Sequence, residues 1–126
     1  MNEQNKKITF VFFTFNEESR IKTVIQNVLM YGEILLIDNF STDETVTIAK
    51  SFGAKIVLYK NTGYGGDLGS FNKLIEHVKT PYIFIGNASE YIPRQILEEC
   101  KVIATSPKNS AYQALACARL EITGGK

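Results

Sequence analysis

Four apolar runs recur along this chain, and their spacing is the feature that most restricts its fold. They read ITFVFF (8–13), EILLID (33–38), KIVLY (55–59) and YIFI (82–85). Successive runs begin about 25 residues apart, which is the spacing of strand–helix repeats. Their apolar residues are continuous rather than alternating, as in strands that are covered on both faces of a parallel sheet. The runs therefore predict four parallel strands.

The segments between these runs carry apolar residues at helical spacing, and each predicts an amphipathic helix. Pro93 begins a fourth such segment, PRQILEECKVIA, as proline does at a first helical position. A later stretch, AYQALACARLEI, is a candidate fifth strand. With right-handed crossovers, this order predicts an α/β fold, a three-layer α/β/α sandwich with a mainly parallel sheet. The three earlier stripes comprise Ile21, Val24, Ile25, Val28 and Leu29, then Val46, Ala49 and Phe52, and then Leu68, Phe71, Leu74, Ile75 and Val78.

The composition predicts one globular domain over residues 1–126. The net charge is only +1, which argues against the basic patch that a nucleic-acid-binding protein needs. No apolar run approaches the roughly 18 residues of a membrane span, and the first residues, MNEQNKK, are too polar for a signal peptide. Cys100 and Cys117 match neither a CxxC pair nor a zinc motif, so free thiols are expected. We therefore expect a cytoplasmic protein without a transmembrane segment.

The polar clusters of interest all follow predicted strands. Ligands of parallel α/β folds bind beyond the carboxyl ends of the strands. Those ends carry the segments Thr14–Glu17, Asp38–Ser41, Asn61–Gly66 and Gly86–Glu90. The chain is therefore expected to place one binding site along this edge of the sheet.

Asp38 ends a buried strand, and a partly buried carboxylate needs a hydrogen-bond partner. Two interpretations stay open: it accepts an N–H of a bound base, or it accepts backbone N–H groups of its own turn. Ser41 and Glu44 have the S-x-x-E spacing of a capping box, and the charge of Asp43 favours a helix N-terminus. These three residues therefore predict the start of the second helix.

Two segments, TFNEES (14–19) and DNFSTDET (38–45), resemble the motifs of the family-2 glycosyltransferases, which are nucleotide-sugar enzymes of the GT-A fold. The resemblance runs from Ile8 to Leu97, and the two motifs in this order are more specific than either alone. Glu33 and Ile34 precede the second strand as in the subgroup that acts on lipopolysaccharide core sugars. The resemblance thus implies a GT-A-type fold and a hexosyl transferase of cell-envelope polysaccharide biosynthesis, with peripheral association at the inner face of the membrane.

The resemblance also implies a donor site. Phe13, Thr14 and Phe15 would frame the nucleobase, and Glu17 would reach towards the ribose. Asp38 would hydrogen-bond the base, which is uracil in most members of the family. The implied donor is a nucleotide-diphosphate sugar, UDP-linked, whose sugar is transferred with inversion to a saccharide or lipid-linked acceptor.

A glycine-containing segment, NTGYGGDLGSFN, falls where the family has a loop followed by a helix. Glycines permit close approach of the backbone to a ligand, and a helix N-terminus favours phosphate. Asn72 matches the family asparagine, and the resemblance implies that it binds the nucleotide sugar. Phe71 stands where a basic residue is usual, so one expected cationic contact is absent.

The fourth strand ends in Asn87, Ala88, Ser89 and Glu90, where the family has D-x-D. The second acid of that motif coordinates Mg²⁺ or Mn²⁺, which neutralises charge on the leaving group. Asn87 and Ser89 can hydrogen-bond a ribose or a phosphate, but they bring no charge to a metal. The resemblance therefore implies a divalent cation for which this chain lacks the usual acids, and we assign no metal ligand.

Fewer than thirty residues follow Leu97, whereas family enzymes continue into an acceptor-binding half that supplies the catalytic base. We expect that half to be missing from this chain, and we assign no catalytic residue. A second hypothesis is an inactive glycosyltransferase-like domain that binds a nucleotide or a partner protein. A receiver domain does not fit, because the third strand ends in Leu58-Tyr59-Lys60 rather than in aspartate. A Rossmann dehydrogenase does not fit, because no G-x-G-x-x-G follows the first strand.

Overall fold

The computed structural model describes residues 6–60, 68–88 and 91–105. Strands and helices alternate along these residues, as the spacing of the apolar runs predicts. The strands are β1 (Ile8–Thr14), β2 (Glu33–Asp38), β3 (Lys55–Leu58) and β4 (Tyr82–Asn87), and the helices are α1 (Ile21–Val28), α2 (Thr45–Ser51), α3 (Leu68–His77) and α4 (Arg94–Thr105).

The four strands form one parallel sheet in the order β3-β2-β1-β4. Thr14, the last residue of β1, lies opposite Asp38, the last residue of β2. On its other side, β1 places Phe13 opposite Asn87 at the end of β4. The predicted parallel sheet is therefore confirmed over the described residues, and its strand ends come together at one edge. The candidate fifth strand lies outside the described residues.

Side chains of β1 alternate between two apolar clusters, one on each face of the sheet. Phe10 and Phe12 belong to the larger cluster, which α1, α2 and α4 cover. Val11 belongs to the smaller cluster, which includes Leu74 of α3. Both faces of the strand are thus covered, which explains why its apolar residues run without alternation. This arrangement confirms the predicted α/β fold with helices on either side of the sheet.

Two helix predictions need correction in detail. Ile75 is 68% exposed, although the predicted stripe of α3 included it. Leu74 and the partly buried Phe71 and Val78 fill the contact with the smaller cluster, so the buried stripe of this helix is narrower than the sequence suggested. Pro93 was predicted to be the first helical residue, but it lies one residue before α4. Its carbonyl accepts the N–H groups of Ile96 and Leu97 in the first turn.

Two findings bear on the other sequence predictions. Cys100 is buried on α4 and forms no disulfide within the described residues, whereas Cys117 lies outside them. Among the helices that the model describes, none is both long enough and apolar enough to cross a membrane.

Candidate functional site

The candidate site begins where β1 and β2 end side by side. The N–H of Asn39 donates to the carbonyl of Thr14 at 2.9 Å, so the pairing of the two strands continues one residue past β2. The motif TFNEES leaves β1 at this point, and DNFSTDET leaves β2. The sheet thus brings the two motifs together, as their positions after neighbouring strands predict.

Asp38 links these two strand ends through a fully buried carboxylate, with 0% exposure. Its Oδ1 accepts hydrogen bonds from the hydroxyl of Thr14 at 2.6 Å and from the hydroxyl of Ser41 at 2.7 Å. Its Oδ2 accepts the N–H of Ser41 at 2.8 Å. These contacts match the interpretation in which Asp38 holds its own turn. Contact with a nucleobase stays a prediction, and it requires Oδ2 to become accessible.

Asn16 ties the loop after β1 to the loop after β2. Its backbone has φ of 52°, in the left-handed region that asparagine tolerates better than most residues. The N–H of Asn16 donates to Ser41 Oγ at 2.8 Å, and Asn16 Oδ1 accepts the N–H of Thr42 at 2.8 Å. A pair of short hydrogen bonds therefore joins residues that lie 25 and 26 positions apart in the sequence.

Asp43 and Thr45 form a second link between the loops. The N–H of Glu17 donates to Thr45 Oγ1 at 2.7 Å, and that hydroxyl donates to Asp43 Oδ1 at 2.5 Å. Asp43 Oδ2 accepts the N–H of Glu18 at 3.2 Å, and Glu18 Oε1 in turn accepts the N–H of Glu44 at 2.9 Å. We call the contacts of residues 14–18 with residues 38–45 the loop interlock.

Hydrogen bonding to Asp43 also alters its titration. Desolvation alone would raise the pKa of this carboxyl, but bonds from the Thr45 hydroxyl, the Thr45 N–H and the Glu18 N–H outweigh it and lower the pKa below its ordinary value. A lowered pKa in the folded state means that the carboxylate stabilises the fold above its ordinary pKa. That contribution is lost as the pH falls through the lowered pKa.

The predicted capping box is wrong. Helix α2 begins at Thr45 with Glu44 at the N-cap, and the Glu44 side chain makes no capping hydrogen bond. Ser41 lies outside the first turn, where its hydroxyl serves Asp38 and Asn16. Asp43 does help to start the helix, because Asp43 Oδ1 accepts the N–H of Thr45 at 2.9 Å. The long-range contacts of the loop interlock thus replace the local pair that the spacing suggested.

Glu17 carries an ionic contact that the sequence analysis missed. Arg20 Nε donates to Glu17 Oε1 at 3.0 Å, and the Glu17 side chain is 18% exposed. The i, i+3 spacing of these opposite charges was the available signal. Arg20 therefore orients the carboxylate that is predicted to reach the ribose.

The aromatic residues near this edge fall into two groups. Phe13 packs edge-on against Phe71 of α3, with ring centroids 5.9 Å apart, within the smaller apolar cluster. Phe15 and Phe40 are instead 52% and 49% exposed. Phe71 thus takes an apolar structural role where the family usually has a basic residue. A contact of Phe13 with a base stays a prediction, and Phe15 is the more accessible candidate.

The remaining predicted site residues lie on α3 and at the end of β4. Asn72 is exposed on α3. Asn87 is the last residue of β4, next to Phe13 of β1, and Ser89 and Glu90 lie outside the described residues. Within the described ranges, no group of three or more His, Cys, Asp or Glu side chains could hold a metal ion. The neutral amide and hydroxyl at 87 and 89 do not suit a divalent cation, which prefers anionic oxygen.

Comparison with known proteins identifies the family. The model of glycosyl transferase family 2 matches residues 9–113. The chain belongs to this family. A relative from Rickettsia bellii, named an uncharacterized glycosyltransferase, is 36% identical over 110 residues, which are 86% of this chain and 36% of the relative. Another from Mycobacterium tuberculosis, with the same kind of name, is 36% identical over 58 residues, which are 46% of this chain and 27% of the relative.

Solved structures support the GT-A fold of this family-2 domain. Glucosyl-3-phosphoglycerate synthase from M. tuberculosis, in complex with phosphoglyceric acid, matches with a TM-score of 0.62 and 18% identity, over 83% of this chain and 43% of that one. Its complex with UDP matches with a TM-score of 0.61 and 19% identity, again over 83% and 43%. A third structure of that enzyme contains Mn²⁺, UDP and glucosyl-3-phosphoglycerate, and matches with a TM-score of 0.54 and 20% identity, over 68% and 36%. The chain therefore spans less than half the length of the relatives that it matches.

The loop interlock predicts a specific effect of Thr45→Val. Valine has nearly the shape of threonine, but it cannot accept the N–H of Glu17 or donate to Asp43. We expect the free energy of unfolding to fall by about 1–2 kcal/mol, because a backbone N–H loses its buried acceptor. Urea unfolding followed by circular dichroism would measure this change.

Thr45→Ser is the matched control, because it keeps the hydroxyl and removes only the methyl group. Loss of a buried methyl costs about 1 kcal/mol at most sites of this kind. If the serine variant is the more destabilised of the two, packing rather than the hydrogen bonds carries the role of Thr45.

Proposed function

We propose that this family-2 domain is the donor-binding part of a glycosyltransferase. It binds a nucleotide-diphosphate sugar, UDP-linked, and the complete enzyme transfers the sugar to a saccharide or lipid-linked acceptor. The observation that carries this proposal is the loop interlock, which holds the two family motifs together at the carboxyl edge of the sheet. The glycosyltransferase names of the relatives and the UDP complex of a structural neighbour support it.

The site is assigned residue by residue to the edge where these strands end. Phe13 and Thr14 end β1 and Phe15 begins the loop that follows, and these three residues frame the base. Glu17, held by Arg20, faces the ribose.

The other assigned residues approach the base and the diphosphate. Asp38 fixes the turn next to the base. It contacts the base directly if Asp38 Oδ2 becomes accessible. Asn72, Asn87 and Ser89 contribute neutral hydrogen-bonding groups to the diphosphate-sugar. Neutral donors can bind phosphate oxygens, but each such bond is weaker than a charge-assisted one.

The proposed reaction is transfer with inversion. The oxygen of an acceptor hydroxyl forms a bond to the anomeric carbon, while the bond from that carbon to the diphosphate oxygen breaks. The electron pair of the broken bond leaves with UDP, and a base removes the proton of the hydroxyl. This domain binds and orients the donor, and we place the base in the acceptor-binding half of the complete protein.

Acceptor and location rest on the family resemblance alone. The Glu33-Ile34 pair at the start of β2 favours an acceptor of the lipopolysaccharide core class and a role in cell-envelope polysaccharide synthesis. We accordingly propose a cytoplasmic site of action at the inner face of the membrane. A transfer assay with lipid-linked and free saccharide acceptors, on the full-length protein, would test this assignment.

A second candidate function is a nucleotide-binding domain without transferase activity. Three sequence features favour it: Asn87 and Ser89 stand where the family has acids, and Phe71 replaces a basic residue. The packing of Phe71 against Phe13 adds weight, because this position has become part of the apolar core.

Calorimetric titration of this chain with UDP tests the proposal most directly. We expect UDP to bind in the micromolar to millimolar range and GDP at least tenfold more weakly, since the site is assigned to a pyrimidine base. The native chain should show less than a threefold effect of Mn²⁺, because Asn87 and Ser89 bring no charge. If the chain binds neither UDP nor GDP, the proposal that this domain binds the donor is wrong.

A further inference from the structure

Phe40 has a backbone conformation that suits its side chain poorly. Its φ is 55°, in the left-handed region, and a bulky residue there is an outlier. The cause is steric, because the Cβ approaches the neighbouring carbonyl oxygen. Glycine or asparagine would adopt the same turn at lower cost. The turn itself therefore does not explain a phenylalanine.

The contacts on either side of Phe40 hold it in this conformation. Before it, the N–H of Asn39 is bonded to the carbonyl of Thr14 at 2.9 Å. After it, the N–H of Ser41 is bonded to Asp38 Oδ2 at 2.8 Å. Strained residues persist where the surrounding structure determines them, and they cluster at ligand sites. The ring itself is 49% exposed, so it is not there chiefly to fill the core.

Phe40 and Phe15 lie in two loops that are bonded to each other on both sides. Thr14, before Phe15, accepts the N–H of Asn39, which precedes Phe40. Asn16, after Phe15, donates its N–H to the hydroxyl of Ser41, which follows Phe40. The loop interlock thus joins the backbones that flank two half-exposed aromatic residues, in neighbouring loops at the carboxyl ends of β1 and β2.

We infer that Phe40 is a base-binding residue, whose ring stacks on the pyrimidine ring of the donor nucleotide beside Phe15. The inference rests on the proposed function, since it assigns a further contact to the same donor site. Stacking between a base and an aromatic side chain needs a flat ring that is exposed before binding and covered afterwards. That requirement accounts for an aromatic residue at a backbone position that favours glycine.

The chain offers a direct spectroscopic test, because it contains no tryptophan. Phe40→Trp would carry a single indole at the proposed contact. We expect UDP and uridine to quench its fluorescence and pyrophosphate to leave it unchanged. Met30→Trp is the matched control, because Met30 is 76% exposed just after α1, near the opposite edge of the sheet. Its fluorescence should not respond to UDP.

Phe40→Asn provides the corresponding loss of function. Asparagine tolerates the left-handed conformation but presents no flat ring, so UDP affinity should fall about tenfold, or about 1.4 kcal/mol. The urea midpoint of unfolding should change little, which separates a ligand contact from a structural role.

The outcomes distinguish this inference from the proposed function. If the native chain binds UDP, yet Phe40→Trp is not quenched or Phe40→Asn binds normally, the role of Phe40 is overturned and donor binding stands. If the native chain binds no nucleotide, both are overturned. Quenching of the Phe40→Trp fluorescence by uridine, together with a tenfold loss of UDP affinity in Phe40→Asn, would establish the contact between Phe40 and the base.

Discussion

Replacing Asp38 by alanine is expected to lower the free energy of unfolding by about 3 kcal/mol or more, since breaking a buried, hydrogen-bonded charge network is among the costliest single changes. The carboxylate is fully buried and accepts three hydrogen bonds, from Thr14 and from the hydroxyl and N–H of Ser41. Alanine would leave all three donors without that acceptor. Urea unfolding followed by circular dichroism would measure the loss.

Ser41→Ala is the matched control, because it keeps the carboxylate and removes one of its three donors, together with the acceptor of the Asn16 N–H. Its cost should be about 1–2 kcal/mol, the typical net value of two hydrogen bonds. If Asp38→Ala and Ser41→Ala destabilise the fold equally, the carboxylate does not carry the loop interlock.

The structural and ligand-binding roles of Asp38 can be separated by a change in the ligand. If Asp38 also accepts the imide N–H of uracil, 3-methyluridine should bind the native chain at least tenfold more weakly than uridine, because it lacks that N–H. If Asp38 acts only through the turn, the two nucleosides should differ little. This comparison leaves the protein unchanged, so it cannot be confused with loss of stability.

The sheet followed closely from the sequence because its signal is local and repeated. Continuous apolar runs predicted strands that are covered on both faces, and β1 has Phe10 in one apolar cluster and Val11 in the other. The position of Asp38 at the end of a run predicted its place at the sheet edge. The parallel pairing of neighbouring strands then set Thr14 beside it.

The contacts within the site could not be predicted from spacing in the same way. Ser41 and Glu44 have the pattern of a capping box, but the hydroxyl of Ser41 is used by Asn16, 25 positions earlier in the chain. A local motif gives no information about a competing partner that is distant in sequence. The exposure of Ile75 has a similar origin, because the width of a buried stripe depends on the surface that the helix meets.

Phe71 illustrates how packing and ligand chemistry compete for one position. The family resemblance places a basic residue there, whereas the structure places an aromatic ring against Phe13. A cation at this position would have to leave the apolar cluster or be buried without a partner, and the latter is costly. The absence of a basic residue at position 71 is therefore coupled to the apolar packing on that face of the sheet.

Restoring the acids at the end of β4 should create metal-dependent binding in this chain. We expect Mn²⁺ to strengthen UDP binding at least tenfold in the double variant Asn87→Asp, Ser89→Asp, because hard divalent cations prefer anionic oxygen ligands. The backbone of Asn87 ends β4 opposite Phe13 of β1, at the same edge of the sheet as the loop interlock. Calorimetric titration of UDP with and without Mn²⁺ would measure the effect.

The control pair is Asn87→Asp alone and Ser89→Asn, since the first adds one charge and the second changes shape without adding any. Mn²⁺ should raise the UDP affinity of each control less than that of the double variant, and it should raise the UDP affinity of the native chain least. A native chain whose UDP affinity already rises tenfold with Mn²⁺ would contradict the prediction, and it would also refute the interpretation of this domain as inactive for lack of the two acids. A double variant that binds UDP without any response to Mn²⁺ would mean that the end of β4 does not approach the diphosphate. In that case Asn87 and Ser89 would no longer count as site residues, and the donor site would be confined to the edge formed by β1 and β2.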